Sequence, residues 1–216
     1  MATDEFLLRH ELQTNHQSST LRFYRFSEPT LTIGYGLWHS VASSMSRQVP
    51  MVRRMTGGGI VLHEISDLTY SLIVPIAENQ LLRKVKDSYF LIHEQLSQSL
   101  NDFQIKTELF DKNCCRPGVA SSEYGKDRSS FCFESPVLHD VMLSGKKVAG
   151  AAQKRTQGYL LHQGSIAWNL LLEVCPHLSE SAFLMRFAHG IGDLLHLPVK
   201  EVQLPVEELK SAVAVL

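Results

Sequence analysis

The most informative segment of this sequence is RRMTGGGIVLH, residues 53–63. Its centre holds three consecutive glycines, which are Gly57, Gly58 and Gly59. Because glycine lacks a Cβ atom, the backbone N–H groups of such a run can converge on a phosphate or a carboxylate. The segment is not a P-loop, since no Gly-Lys-Ser/Thr follows it and residues 60–62 are typical of a strand. The structural alternative is a glycine-rich turn that binds no ligand.

The charged residues of this segment narrow its chemistry. Arg53 and Arg54 are adjacent residues of a predicted strand, so their side chains point to opposite faces. At most one of them therefore helps to bind an anion. His63 does not begin a zinc-protease motif, because Asp67 stands where the second histidine would fall. We therefore expect an anion-binding loop with no metal ion.

Strand-forming segments surround the glycine run. In the first third of the chain they are residues 21–26, 31–34, 51–54, 60–63 and 68–74. Glu28-Pro29 is typical of a tight turn, so the first two segments are expected to form a β-hairpin or a bent edge strand. Later strands are predicted at 137–143, 147–153 and 159–166, with Ser144-Gly145 joining the first two as a hairpin.

Helices are predicted on both sides of these later strands. Apolar residues recur every three or four positions from Leu81 to Leu100, which indicates a long helix facing the core. Other helices are expected in the first dozen residues, over 180–196 and from Pro205, and residues 112–130 are expected to form a lid-like loop. The pattern predicts an α+β (mixed α/β) fold with a mostly antiparallel sheet packed with helices. The length favours one domain, 1–216.

The composition excludes several classes of protein. The 216 residues include 22 acidic and 21 basic side chains, so a net charge of −1 gives no general attraction to nucleic acid or to an anionic membrane. The N-terminus is acidic where a secretory signal is basic, and no apolar run reaches the about 18 residues of a membrane span. We predict a cytoplasmic protein with reduced thiols. Its cysteines are Cys114, Cys115, Cys132 and Cys175.

A second segment with chemical potential is GKKVAGAAQKR, residues 145–155. Lys146 and Lys147 begin a predicted strand, so one of them must point inward. A buried lysine needs a negative partner, such as a ligand phosphate or carboxylate. The small residues that follow would leave room for that ligand. The alternative is a basic hairpin turn exposed to solvent.

A third segment is LHQGSI, residues 161–166. It combines hydrogen-bonding side chains with a glycine that permits close approach of a ligand: His162, Gln163, Gly164 and Ser165. A histidine in a strand is also common as a structural residue whose hydrogen bonds are satisfied within the protein. This segment alone therefore does not decide between binding and structure.

Cys132, in the segment SSFCFESP, follows the predicted lid. In a strand, Phe131 and Phe133 would share one face and leave the Cys132 thiol on the other, where it can face a cleft. The alternative is a buried cysteine that acts as a small hydrophobic residue.

These segments resemble one family when they are taken together. RRMTGGGIVLH followed by DLTYSL, then GKKVAGAAQKR and LHQGSI, is similar in order and spacing to the catalytic domain of the lipoate-protein ligase A and octanoyltransferase superfamily. This superfamily is related to biotin protein ligases, whose own arginine- and glycine-rich signature is missing from the sequence. The resemblance implies a biotin/lipoate protein ligase catalytic-domain fold, a pocket for a medium-chain acyl group, and transfer of that group to the lysine of a lipoyl domain.

The resemblance also implies roles for particular side chains. Lys147 falls on the family's invariant lysine, whose ammonium would hold the acyl carbonyl oxygen, or the phosphate of an acyl-adenylate, and would stabilise the oxyanion. Arg54 and the glycine loop resemble the wall that faces the acyl group and the nucleotide. Polar positions of the family's pocket are matched by His63, Gln153, His162, Gly164 and Ser165.

Two mechanisms fit the resemblance. An octanoyltransferase takes octanoate from acyl carrier protein through an enzyme thioester, whereas a ligase uses ATP and Mg²⁺ to activate free lipoate as an adenylate. Cys132 aligns with the nucleophile of one octanoyltransferase branch, and residue 216 leaves no room for the separate C-terminal domain of the larger ligases, so the transferase is preferred. Gly59 stands where that branch usually has arginine, which favours the ligase. A non-catalytic paralogue that binds acyl groups or lipoyl domains is a further alternative.

The resemblance predicts partners as well. They are the lipoyl domains of 2-oxo acid dehydrogenases or the H protein of glycine cleavage, together with acyl carrier protein if the chain is a transferase. The octanoyl or lipoyl group would be a substrate, and we expect no tightly bound cofactor, no nucleic acid and no membrane.

Overall fold

The computed structural model describes residues 1–14, 18–41, 49–76, 79–111 and 136–202. The predicted lid at 112–130, Cys132 and the predicted helix from Pro205 lie outside these residues. Within the described ranges, no helix combines the length and the apolar character that crossing a membrane requires.

The described residues form two sheets. The strands are β1 (Thr20–Tyr24), β2 (Thr30–Ile33), β3 (Met51–Arg53), β4 (Ile60–His63), β5 (Leu68–Pro75), β6 (Glu108–Leu109), β7 (Val141–Leu143), β8 (Lys146–Thr156) and β9 (Tyr159–Ile166). The large sheet has the order β1-β5-β9-β8-β7-β6, and every neighbouring pair in it is antiparallel. The small sheet has the order β3-β2-β4, in which β2 is parallel to β3 and antiparallel to β4.

Helices and a short 3₁₀ turn complete the described part of the chain. The helices are α1 (Ala2–Thr14), α2 (Trp38–Val41), α3 (Val85–Asp102), α4 (Trp168–Val174) and α5 (Glu180–Leu195), and the 3₁₀ turn is Gln80–Leu82. The predicted α+β fold with a mostly antiparallel sheet is therefore confirmed.

One face of the large sheet packs against helices. Alternate residues of β5 and β9 point to this face, because side chains alternate along a strand. They meet α3, α4 and α5 in the main hydrophobic core. Its members include Leu68, Tyr70, Leu72, Val74, Leu160 and Ile166 from the sheet, with Ile92, Leu96, Leu171, Phe183 and Phe187 from the helices.

The opposite face of the large sheet carries α1 and the small sheet. Leu8 of α1 packs against Ile73 and Leu161 in a separate apolar cluster. The small sheet is tied to the same face by side-chain hydrogen bonds, one of which joins His63 to Ser165 at 3.2 Å. The space between the two sheets is where the polar residues of the predicted motifs gather.

Most of the predicted elements are confirmed. Strands form at β3, β4, β5, β8 and β9, and Ser144-Gly145 does turn the chain from β7 into β8. Helices α1, α3 and α5 lie where the apolar periodicity placed them, although α3 begins at Val85 because a 3₁₀ turn precedes it. The short helix α4 was not predicted, since seven residues directly after a strand show too little periodicity.

The predicted hairpin of β1 with β2 is wrong. β1 pairs with β5 at the edge of the large sheet, whereas β2 lies at the centre of the small sheet. Burial agrees with this placement. All four residues of β2 are buried, so other parts of the protein cover both faces of this strand. β1 is half-buried throughout, as expected for the edge strand that was the alternative.

Candidate active site

A cavity of about 220 Å³ lies between the large sheet and the small sheet. Its wall includes predicted site residues from every motif that the structure describes, namely Arg54, Gly58, Gly59, His63, Lys147, Gly164 and Ser165. The other wall residues are Met1, Thr32, Val61, Thr69, Val137, Gly150, Ala151, Ala152 and Gln163. Gly57, Gln153 and His162 are not part of the wall, and Cys132 lies outside the described residues.

An irregularity in β8 aims Lys147 into this cavity. Val141 of β7 pairs with Ala149, but the next residue, Met142, pairs with Lys147, so Val148 is an extra residue in β8. Such a β-bulge reverses the alternation of side chains along its strand. Lys147 therefore points to the cavity, although it would otherwise share the face of Ala149, which belongs to the main core.

The side chain of Lys147 needs the glycine at position 150. A Cβ atom built on Gly150 would lie 2.6 Å from Lys147 Nζ and 2.4 Å from its Cε, so the end of the lysine lies directly over this backbone. Any larger residue at position 150 would displace the ammonium from the cavity wall.

A buried carboxylate compensates the charge of Lys147. Asp140 is fully buried, and its Oδ2 lies 2.8 Å from Lys147 Nζ, whose side chain is only 6% exposed. Val137 N–H donates to the same carboxylate at 2.7 Å. The Tyr89 hydroxyl donates to Asp140 Oδ1 and accepts a hydrogen bond from Ala151 N–H at 3.0 Å. This network fixes both the carboxylate and the ammonium, since each buried charge has a partner.

The sequence-based reasoning did not identify Asp140 or Tyr89. The predicted hairpin could have pointed to Asp140. It places β8 beside β7, and so brings Asp140, the residue before β7, close to Lys147. Tyr89 lies in the segment from Leu81 to Leu100, which was predicted only as a helix that faces the core. Burial and the charge of Asp140 raise the pKa of Tyr89, so its phenol remains a hydrogen-bond donor.

Arg54 holds the glycine loop from inside. Its side chain is 5% exposed, and Nη2 donates to the carbonyls of Gly57 and Gly59 at 3.1 and 2.8 Å. Gly58, between them, has a φ of 89°, which favours glycine. Arg53 instead places its guanidinium 3.9 Å from the ring centroid of Tyr35. The prediction that the two arginines point to opposite sides is confirmed.

His63 links the small sheet to the large sheet. Its Nε2 lies 2.8 Å from Thr32 Oγ1 and its Nδ1 lies 3.2 Å from Ser165 Oγ. Burial, and then the positive charges of Arg54 and the N-terminus, lower the pKa of His63 to about 3. The imidazole is therefore neutral near pH 7, with one nitrogen as donor and the other as acceptor.

Gln163 lies on the cavity face, and its amide is fixed in one orientation. Thr56 Oγ1 donates to Gln163 Oε1 at 2.9 Å, and Gln163 Nε2 donates to Asp4 Oδ2 at 2.7 Å. Burial alone would raise the pKa of Asp4, but the adjacent Arg22, the N-terminus and Ser71 outweigh burial and lower it. Asp4 is therefore an anion that anchors this amide.

Gln153 and His162, which the resemblance placed in the pocket, lie on the opposite face of the large sheet. They are paired across β8 and β9, and Gln153 Nε2 donates to His162 Nδ1 at 2.9 Å. His162 Nε2 is 3.1 Å from the Tyr70 hydroxyl. Gly164 leaves room for this tyrosine, since a Cβ there would lie 2.3 Å from two of its ring atoms. Strand alternation separates the side chains of Gln153 and His162 from the cavity, whereas the backbone of Gly164 lines it.

The buried histidines predict a steep loss of stability in acid. Burial lowers the pKa of His93 to about 4, as it lowers that of His63 to about 3, and it also depresses the pKa of His162. Unfolding exposes them to water, where they bind protons below about pH 6.5. The free energy of unfolding should therefore fall from about pH 6 to pH 4.5, by up to about 1.4 kcal/mol per pH unit for each histidine. Urea unfolding at a series of pH values measures this slope.

His63→Gln removes one of these proton-binding groups. The slope of the free energy of unfolding against pH should therefore fall by about 1.4 kcal/mol per pH unit. The matched control is His177→Gln, a change at an exposed position, which should leave the slope as it is. A slope that is the same in the parent protein and in both variants would contradict the assignment.

The comparisons with solved structures identify the fold. Lipoate-protein ligase A bound with ATP superposes with a TM-score of 0.67 at 20% identity, over 99% of this chain and 86% of that one. A bipartite lipoate protein ligase from Thermoplasma acidophilum, solved with its E2 lipoyl domain, has a TM-score of 0.61 at 19% identity, over 99% and 84%. The two-sheet architecture around the cavity is thus the lipoate-protein ligase fold.

Sequence comparison gives the family. The Lipoyl protein ligase A/B catalytic domain matches residues 1–213, and the chain belongs to this family. Octanoyltransferase LipM of Oceanobacillus iheyensis is 34% identical over 81% of this chain and 61% of its own length. LipM of Kyrpidia tusciae is 36% identical over 89% of this chain and 68% of its own length. The chain thus spans 61% and 59% of the first two curated relatives that it matches.

Proposed function

We propose that this protein transfers an octanoyl group from acyl carrier protein to the target lysine of a lipoyl domain. The observation that carries the proposal is the buried Lys147 ammonium, which is held by Asp140 in a cavity beside the glycine loop. The similarity to octanoyltransferase LipM supports the choice of reaction. The structure solved with an E2 lipoyl domain supports the class of acceptor, such as the lipoyl domains of 2-oxo acid dehydrogenases or the H protein.

The cavity suits an acyl group that ends in a carbonyl. Val61, Val137, Ala151 and Ala152 give its wall apolar surface for the hydrocarbon chain. Lys147 supplies a cation for the carbonyl oxygen, on which negative charge develops as a nucleophile attacks. Because Asp140 already compensates the ammonium, the charge is oriented before the substrate binds.

In this proposal Cys132 is the nucleophile of a two-step reaction. Its thiolate attacks the octanoyl thioester of the carrier protein, and the carrier thiolate leaves. The lysine amine of the lipoyl domain then attacks the enzyme thioester, and the cysteine thiolate leaves and takes up the proton that the amine loses. Arg54 shapes the site rather than entering the reaction, since its hydrogen bonds hold the glycine loop.

The second candidate is ATP-dependent ligation of lipoate through an adenylate. Gly59 favours it, because a third glycine keeps the loop open for a phosphate next to Arg54. In that reaction ATP and Mg²⁺ would be taken up with lipoate rather than held as resident cofactors. The same Lys147 would then stabilise charge on the adenylate.

One experiment separates these reactions. The protein is incubated with octanoyl-acyl carrier protein, and its intact mass is measured. An apo lipoyl domain is then added, and the intact mass of that domain is measured as well. The transferase predicts an octanoyl adduct on the enzyme that Cys132→Ala removes, followed by octanoylation of the lipoyl domain without ATP. The ligase predicts no adduct and ATP-dependent lipoylation that survives Cys132→Ala. Inactivity with both donors would support the non-catalytic paralogue.

The proposal treats residues 1–216 as one catalytic domain, which is supported by a single family match over residues 1–213. A cytoplasmic location belongs to the same proposal. Fractionation of cells that express the tagged protein tests the location.

A further inference from the structure

A row of residues crosses the cavity floor on three neighbouring strands. Ser165 of β9 is paired with Gly150 of β8 on one side and with Thr69 of β5 on the other, so all three share the cavity face. Residues paired in this way have Cβ positions about 4.5–5.5 Å apart. Lys147 Nζ lies 2.6 Å from the Cβ position of Gly150. The Lys147 ammonium and the Ser165 hydroxyl are therefore neighbours that one small ligand group can reach together.

A chain of hydrogen bonds with a fixed direction leads to Ser165. Arg54 Nη1 donates to Thr32 Oγ1 at 2.7 Å, and an arginine can only donate. Thr32 is fully buried. Besides Arg54, the described side chain that its hydroxyl contacts is His63, whose Nε2 lies 2.8 Å away. The Thr32 hydrogen thus points to His63 Nε2, since otherwise it would be buried without an acceptor.

The hydrogen bond from Thr32 determines which nitrogen of His63 donates to Ser165. Because the imidazole is neutral and Nε2 accepts from Thr32, its hydrogen lies on Nδ1. Nδ1–H then donates to Ser165 Oγ at 3.2 Å. No other described residue bonds to this hydroxyl, so its own hydrogen has no acceptor in the described part of the chain, and the residue lines the cavity.

The floor has a second polar atom without a partner. Thr69 Oγ1 is buried, and it makes no hydrogen bond to any described residue. It lies directly across from Ser165 in the same row. Buried polar groups in proteins are nearly always paired, so unpaired ones in a cavity wall point to a ligand with polar atoms at that place.

We propose that Ser165 is a catalytic residue that donates a hydrogen bond to the acyl carbonyl oxygen beside Lys147, so that the two groups form the oxyanion site. This inference rests on the proposed acyl transfer. As the cysteine thiolate forms its bond to the carbonyl carbon, the C=O π electrons move to oxygen, where the Lys147 N–H and the Ser165 O–H hold them. The oxyanion then re-forms the carbonyl and expels the carrier thiolate. Thr32 and His63 are positioning residues, because they act through Ser165, and Arg54, which also holds the glycine loop, orients Thr32.

The kinetic test compares Ser165→Ala with Ser165→Thr. Loss of one oxyanion donor lowers kcat by about 10²-fold, and because the contact strengthens in the transition state, KM should change far less. Ser165→Thr keeps the hydroxyl and should retain most of the wild-type kcat. Ser97→Ala removes another buried hydroxyl, one that bonds Thr107 away from the cavity, and it should leave kcat unchanged. Thermal unfolding shows whether each variant is folded.

A binding test separates the hydrogen bond from a packing effect. In a Cys132→Ala background, affinity is measured for octanoyl-acyl carrier protein and for its S-octyl thioether, which lacks the carbonyl oxygen. Ser165→Ala should weaken binding of the thioester and leave binding of the thioether as it is. Equal effects on the two ligands, or no effect on either, would overturn the assignment of Ser165.

The outcomes distinguish the inference from the proposed function. If the wild-type protein acylates a lipoyl domain and Ser165→Ala does so at the same kcat, only the role of Ser165 is lost. If the wild-type protein transfers no acyl group to any lipoyl domain, the proposed function fails and the role of Ser165 fails with it.

Discussion

Replacing Lys147 with alanine should reduce acylation of a lipoyl domain by about 10³-fold or more, since removal of one neutral oxyanion donor already costs 10²–10³-fold. The variant loses the cation beside the carbonyl oxygen. It also leaves the fully buried Asp140 carboxylate without its ammonium partner, which disturbs the wall of the same cavity. Intact-mass measurement of an apo lipoyl domain, sampled over time with octanoyl-acyl carrier protein, gives the rate.

The chain offers a matched control for this change. Lys146 is the preceding residue and begins the same strand, but its side chain is exposed. Lys146→Ala removes the same charge from the same strand without entering the cavity, so the rate of acylation should stay within about twofold of wild type, as for most surface substitutions. Normal activity in Lys147→Ala, or an equal loss in both variants, would show that the active site lies elsewhere.

The orientation of Lys147 shows how far the sequence could lead. The sequence required one lysine of the pair to point inward, and this is confirmed, because Lys147 is nearly buried whereas Lys146 is exposed. It could not reveal the bulge at Val148 that turns Lys147 to the cavity face. A bulge depends on the register in which β8 pairs with β7. The apolar pattern within one strand does not predict which residues of two strands pair.

The same limit explains why Gln153 and His162 were assigned to the pocket. The resemblance assigned His162 to the pocket and left out its neighbour Gln163, although adjacent strand residues point to opposite faces and it is Gln163 that lines the cavity. Which face held the cavity depended on the position of the small sheet, and that sheet was not foreseen because β1 and β2 were expected to pair. Helices, strand segments and the glycine loop follow from local patterns, whereas the distribution of strands between two sheets is set by long-range packing.

Replacing Asp140 with leucine should destabilise the protein more than any surface change. The variant leaves the Lys147 ammonium, the Val137 N–H and the Tyr89 hydroxyl without their shared acceptor. Breaking a buried ion pair by removal of one partner typically costs about 3–5 kcal/mol. Urea unfolding should show a loss of that size in the free energy of unfolding, and acyl transfer should fall because the carboxylate that orients the ammonium over Gly150 is lost. A change below about 1 kcal/mol, as for an exposed pair, would contradict a buried network.

The double variant Asp140→Leu with Lys147→Met separates stability from function. Apolar residues of similar size often replace a buried ion pair with no loss of stability, because the cost of removing two charges from water is no longer incurred. The double variant should therefore recover most of the stability lost by Asp140→Leu, and yet it should stay as inactive as Lys147→Ala. That result would mean that the pair is kept because it orients a charge at the cavity wall. A double variant in which the two losses of stability simply add would instead indicate that Asp140 and Lys147 act independently.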